Sequence, residues 1–113
     1  RVDLIPDAVI FGSMLRMYAS LHRREEAYQM IREMFKRGLV PRPQDYVHLL
    51  RMLASMGDEE EMNRMFDDAV ALKRLSPNMY HVFFVMYAKQ GREEDILLKL
   101  AVRPFMKIIT SFM

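Results

Sequence analysis

The chain has 113 residues, enough for one domain, and its 51% hydrophobic and 28% charged residues are the balance of a folded protein. Lacking cysteine, it can form no disulfide, no thiolate metal site and no cysteine nucleophile, and no apolar run reaches the roughly 18 residues of a membrane span. A net charge of +2 is too slight to point to nucleic acid by itself, and twelve methionines suit the irregular gaps of helical interfaces.

In residues 1–7, Pro6 stands five residues before Phe11, as Pro41 stands five before Tyr46. The segment reads as the closing tail of an earlier unit, and the chain, which starts on Arg1, as a piece of a longer protein. Residues 8–42 form a first unit of two amphipathic helices. Phe11, Met14, Leu15, Tyr18 and Leu21 share one face of its first helix, and Ala27, Met30, Ile31 and Met34 one face of its second. Gly38 then supplies a left-handed cap and Pro41 forbids continuation. A second unit, 43–76, runs through Tyr46, Leu49, Leu50 and Leu53. Its second helix opens on Asp58-Glu59-Glu60-Glu61 and closes on Lys73-Arg74. The third, 77–103, is partial: a helix over 79–89, a corner at Gln90-Gly91, then a helix in which Lys99 falls where Met30 and Met65 stand. Residues 104–113, PFMKIITSFM, are apolar, lack the repeat's columns and are expected to pack on a further element or a partner.

The units are copies of one another. Phe11 maps onto Tyr46 after thirty-five residues and onto Tyr80 after a further thirty-four. In that register Met14, Leu15 and Tyr18 match Leu49, Leu50 and Leu53, then Phe83, Phe84 and Tyr87. Ala19 matches Ala54 and Ala88, and His22 falls in the column of Gly57 and Gly91. Self-similarity at this period predicts an all-α fold, an α-solenoid of about three helical hairpins, each burying its apolar face on its neighbour. The acidic pairs Glu25-Glu26, Glu60-Glu61 and Glu94-Asp95 recur in the first turn of each second helix, where the helix dipole favours them by about 0.3–1 kcal/mol apiece. They need no metal or catalytic explanation. His22, His48 and His81 lack metal-ligand spacing, and no phosphate loop, nucleophile elbow or Ser/His/Asp set is present. The chain reads as non-enzymatic and without a cofactor.

These columns resemble the pentatricopeptide repeat family. The resemblance is carried by Phe11, Tyr46 and Tyr80, by Tyr18-Ala19 and Tyr87-Ala88, by Glu25-Glu26-Ala27 and Gly91-Arg92. The most specific stretch is Glu33-Met34-Phe35-Lys36-Arg37-Gly38-Leu39-Val40-Pro41. The tetratricopeptide repeat has a similar period, but its early Trp is absent and Leu15, Leu50 and Phe84 occupy the column of its Gly. The resemblance implies a right-handed superhelix, a mitochondrial or alternatively plastid location, and single-stranded RNA bound along the first helices. It assigns base-reading roles to Gly12, Val47 and His81, to Arg42 and Ser76, and wedging roles to Val9, Gln44 and Asn78.

Gly12 offers a base no donor or acceptor and Val47 only a surface to stack on, so the pattern argues against a readable base code; only Asp7, closing the earlier unit, fits one. Backbone contact is the expectation instead. The first helices carry Arg16, His48, Arg51, His81 and Lys89 against the single acid Asp45, and Arg16 and Arg51 share a column. The chain is thus expected to be an RNA-associated scaffold of an organellar ribonucleoprotein, a mitochondrial ribosome or RNA-processing complex. It would contact RNA backbone and, through Phe105, Ile108, Ile109 and Phe112, partner proteins, with no membrane. The alternatives are a peptide-binding module of the tetratricopeptide kind and a fragment of a sequence-specific RNA-binding factor.

Overall fold

The computed structural model describes residues 7–101. The tail at 1–6 and the apolar segment at 104–113, with Phe105, Ile108, Ile109 and Phe112, lie outside the described residues. Among those described there are six helices and no strand: α1 (Asp7–Ser20), α2 (Arg24–Lys36), α3 (Pro43–Ser55), α4 (Glu59–Ala71), α5 (Pro77–Lys89) and α6 (Glu93–Ala101). They form the three hairpins that the period demands. Asp7, assigned from sequence to the preceding tail, belongs to the first turn of α1.

The helix boundaries follow from local chemistry. Pro43 and Pro77 begin α3 and α5 at the position where a missing N–H costs nothing and a fixed φ helps. The corners are built on one device used five times. His22, Gly38, Gly57, Lys73 and Gly91 all have φ between 57° and 73°. Each lies one residue before an amide that reaches back five residues to a helix carbonyl: Arg23 to Tyr18 (2.9 Å), Leu39 to Met34 (2.8 Å), Asp58 to Leu53 (3.0 Å), Arg74 to Ala69 (2.8 Å) and Arg92 to Tyr87 (2.8 Å). This is the Schellman cap. Glycine fills three of the five positions without strain, whereas His22 and Lys73 accept the left-handed region against the Cβ penalty.

The hairpins stack in chain order: α1 packs on α2 and α3, α3 on α4 and α5, and α5 on α6. Which way each column faces can be read from the ends of the stack. Met14 and Tyr18 are half-buried in the first hairpin, while their counterparts Leu49, Leu53, Phe83 and Tyr87 are buried. That column therefore faces the preceding hairpin. Phe66 of α4 agrees with this direction, meeting Tyr80 and Phe83 edge-on at centroid distances of 5.2 and 5.5 Å. The column of Leu15 and Ala19 behaves oppositely: these two are buried, but Phe84 is half-buried and Ala88 exposed. It faces the following hairpin.

The second helices are joined chiefly through side chains. Arg24 bonds Asp58 at 2.7 Å, and Tyr28 donates to Glu61 at 3.1 Å. One hairpin on, Arg92 holds Glu59 at 3.0 Å while Tyr87 donates to the same carboxylate at 3.4 Å. Arg24 holds the Asp58 carboxyl below its ordinary range, helped by the Glu61 amide that Asp58 caps at 3.1 Å. Arg92 does the same for Glu59. The acids of α4 thus tie neighbouring hairpins together in addition to meeting the helix dipole. Lys99, the departure from the methionine column, rests its ammonium 3.9 Å from the Phe83 ring centre and 4.2 Å from that of Phe66, and donates to Asn63 at 2.7 Å. The aromatic faces replace the apolar packing a methionine would provide.

The strain at Lys73 gives a direct test. Lys73→Gly should raise the unfolding free energy by about 0.5–1 kcal/mol, the relief of the left-handed penalty less the added chain entropy of glycine. Urea unfolding followed by circular dichroism measures it, and the same change at an α-helical position such as Arg64 should destabilise.

Candidate nucleic-acid interface

The row α1–α3–α5 carries the candidate residues. The column of Arg16 and Arg51 lies one residue beyond the buried Leu15 and Leu50, so both arginines are exposed on the outer surface of that row. Four recesses follow this surface, and between them they are lined by all twelve residues singled out from sequence. The first, about 210 Å³ between α1 and α3, gathers Val9, Gly12, Arg16, Arg42, Gln44 and His48. The second, about 250 Å³, lies across the starts of α3 and α5 and gathers Gln44, Val47, His48, Arg51, Ser76 and Asn78. The third, about 220 Å³, lies further along α1 and α3 beside His48 and Arg51. The largest, about 390 Å³ between α3 and α5, takes in Arg51, His81 and Lys89.

Within this surface the residues differ in what they can offer. Arg16, Arg51 and Lys89 are exposed, and among the described residues no carboxylate lies within ion-pair distance of them. Arg42 is engaged: its guanidinium donates to Asp45 at 3.2 and 3.3 Å, and its backbone N–H donates to the same carboxylate at 2.7 Å. Asp45 is 1% exposed, a buried charge that requires this partner. Gly12 is buried directly beneath the Arg42 guanidinium, and a Cβ at that position would collide with Arg42 Nη2. The glycine that lacks a base-reading group therefore has a packing reason. Val47, 5% exposed, keeps little surface in reach of a ligand. His48 lines three recesses, and burial, reinforced by the charges of Arg51 and Arg16, lowers its pKa and keeps it neutral.

Two features are not evident from the sequence. The Arg42–Asp45 pair is one; the three-residue spacing at a helix start is its available signal. The other joins hairpins: His22 Nε2 lies 2.6 Å from Ser55 Oγ. Ser55 spends its hydroxyl hydrogen on the Met52 carbonyl at 2.7 Å, so it accepts from His22. That polarity leaves His22 no role as a base toward Ser55. Only the column match between Ser55 and Lys89 could have drawn attention to it.

Charge is unevenly divided. The helices α2, α4 and α6 hold eleven acids to five bases, whereas α1, α3 and α5 hold two acids to three bases, one of the acids being the paired Asp45. The excess of acid among the helices therefore lies on the second-helix side. Among the described residues there is no cluster of His, Cys, Asp and Glu able to hold a metal ion, and no helix long and apolar enough to cross a membrane. No model of a known protein family matches the chain, and comparison with curated proteins gives no significant match.

Two outcomes are expected. Gly12→Ala should displace the Arg42 guanidinium from Asp45, a loss of about 1–3 kcal/mol offset by the roughly 0.5–1 kcal/mol that alanine gains over glycine inside a helix; an Arg42→Gln background should remove the loss and leave the gain. For His48, the unfolded imidazole takes up a proton near pH 6.5 while the folded one, with its pKa lowered, does so only at more acid pH. Folding stability should fall as pH drops below about 6.5, and His48→Gln should flatten that slope in urea unfolding between pH 5 and 8.

Proposed function

We propose that this protein is a non-enzymatic, RNA-associated scaffold of the pentatricopeptide repeat kind, working within an organellar ribonucleoprotein such as a mitochondrial ribosome or RNA-processing complex. The observation that carries the reading is the set of cations on one face. Among the described residues Arg16, Arg51 and Lys89 have no carboxylate within ion-pair distance and all border the recesses of this face, whereas Arg23, Arg24, Arg64 and Arg92 are each bound to an acid and the unpaired Arg32 and Lys73 border none of these recesses. Free cations in a row suit phosphates, whose binding rests on charge and counterion release.

Base identity is a poorer fit to the same face. Gly12 is covered, Val47 is nearly enclosed and Arg42 is committed to Asp45. Donors and acceptors able to tell one base edge from another are scarce at the positions the family would use. The organellar setting comes from the family resemblance alone.

The test is salt-dependent binding of a twelve-nucleotide single-stranded RNA by fluorescence anisotropy. Arg16→Gln with Arg51→Gln should weaken binding and reduce the slope of log affinity against log salt by about 0.7 for each phosphate no longer neutralised. Shuffling the RNA sequence should change little. An unaltered slope, or no RNA binding by the unmodified protein, overturns the reading and favours a peptide-binding module.

A further inference from the structure

The columns that look forward along the stack end uncovered. Among the described residues no hairpin follows the third, so Phe84, in the column of the buried Leu15 and Leu50, is half-buried and Ala88 is exposed. The second helices show the same. Tyr28 and Asn63 share a column and both meet the next hairpin, Tyr28 donating to Glu61 at 3.1 Å and Asn63 accepting from Lys99 at 2.7 Å. Their counterpart is Leu97, which is 66% exposed. Phe66 packs on Tyr80 and Phe83, whereas its counterpart Leu100 is half-buried, and α6 has no buried residue. The residue types change as well. Leu97 replaces Tyr and Asn, and Leu98, 60% exposed, stands in the column of Gln29 and Arg64. Leucine entering columns that are polar in the earlier hairpins leaves an exposed apolar face, continuous with the interfaces that join the hairpins before it.

The sequence beyond α6 suits that face. Pro104 falls, in register, on Phe35 and Val70, which lie inside α2 and α4, so a proline stops the third second helix short of their 13 residues. In the segment 104–113, Phe105, Ile108, Ile109 and Phe112 recur at helical spacing, flanked by Met106 and Met113, with Lys107, Thr110 and Ser111 on the opposite side of the pattern. Twelve residues follow Ala101; as a helix they would span about 18 Å, close to the roughly 20 Å of α5. We infer that the chain's own segment 104–113 docks on the forward face of the third hairpin, laying Phe105, Ile108, Ile109 and Phe112 over Phe84, Leu97 and Leu100. A second copy offers its α1 column to the same face. The segment, however, is tethered to α6 and acts at an effective concentration of about millimolar, above that of a second copy in dilute solution. Docking leaves Lys107, Thr110 and Ser111 outward, the polar end that a stack of hairpins requires. The four apolar side chains are then part of the fold and not a handle for partner proteins.

The chain has no cysteine, so a single introduced thiol reports on cover. Leu97→Cys and Phe35→Cys, each in the full chain, are compared for their rate of reaction with a soluble aromatic disulfide. By exposure in the described helices, 66% against 46%, Leu97→Cys is the faster. With the segment docked it should instead be at least about tenfold slower than Phe35→Cys, since cover worth one buried leucine already holds the docked form that fraction of the time. Adding Phe105→Asp and Phe112→Asp should restore the fast rate to Leu97→Cys and leave Phe35→Cys unchanged, with the helical circular dichroism retained. A Leu97→Cys that reacts faster than Phe35→Cys overturns the inference and returns the segment to a partner protein. Protection that survives the two aspartates, or that fades on dilution of the protein, overturns it too, the second result naming another copy as the occupant.

Discussion

Each reversal of the chain depends on one residue held in the left-handed region, and the rest of the molecule inherits its register from those five positions. A Schellman cap fixes the angle at which the chain leaves a helix, because two amide bonds and one positive φ over-determine the turn. With the turns fixed, a period of thirty-four or thirty-five residues places Tyr46 and Tyr80 at the same position along the first helix of successive hairpins. The apolar columns then divide into one that looks back along the stack and one that looks forward. Gly38, Gly57 and Gly91 hold these conformations cheaply. His22 holds one with a compensation, since the side chain that costs strain also bonds the next hairpin through Ser55. Lys73 has no comparable bond among the described residues, and its strain is unrelieved.

The two faces of the stack have different electrostatic tasks. On the second-helix side, acids at the helix starts meet the dipole and also catch arginines from neighbouring hairpins, Arg24 on Asp58 and Arg92 on Glu59. Both pairs are part-exposed and so individually weak, and they repeat at the same place in the stack. With these arginines bound on the acidic side, Arg16, Arg51 and Lys89 are the cations without an ion pair that border the recesses of the first-helix row. The division explains how a chain of nearly balanced charge can present a basic face.

Much of this is legible in the residues. The period, the corner column of His22, Gly57 and Gly91, the hairpin boundaries and the faces of the first helices all rest on spacing, which one-dimensional pattern preserves. The twelve candidate residues line the surface recesses because they share columns, and columns are what the fold respects. What is not legible depends on which atoms meet across hairpins. On spacing alone Gly12 is an empty reading position; its burial beneath Arg42 follows only once α1 and α3 are packed. The acids of α4 have a sufficient local explanation in the dipole, so their bonds to Arg24 and Arg92 leave no unexplained signal. Asp7 falls on the wrong side of a boundary because helix starts are weakly marked when no capping side chain singles one out.

The degeneracy of the repeats then acquires a physical meaning. Where backbone and core must match, the columns are kept: Leu15 with Leu50, Leu49 with Phe83, and the positive φ at every corner. The diverging columns include His22 against Gly57, His48 against Val82, Arg51 against Val85 and Ser55 against Lys89, and equally Gly12 against Val47 and His81 and Arg42 against Ser76. The copies are alike where the chain turns and the helices pack on one another, and they vary where a local partner accommodates the change, as Arg42 does above Gly12.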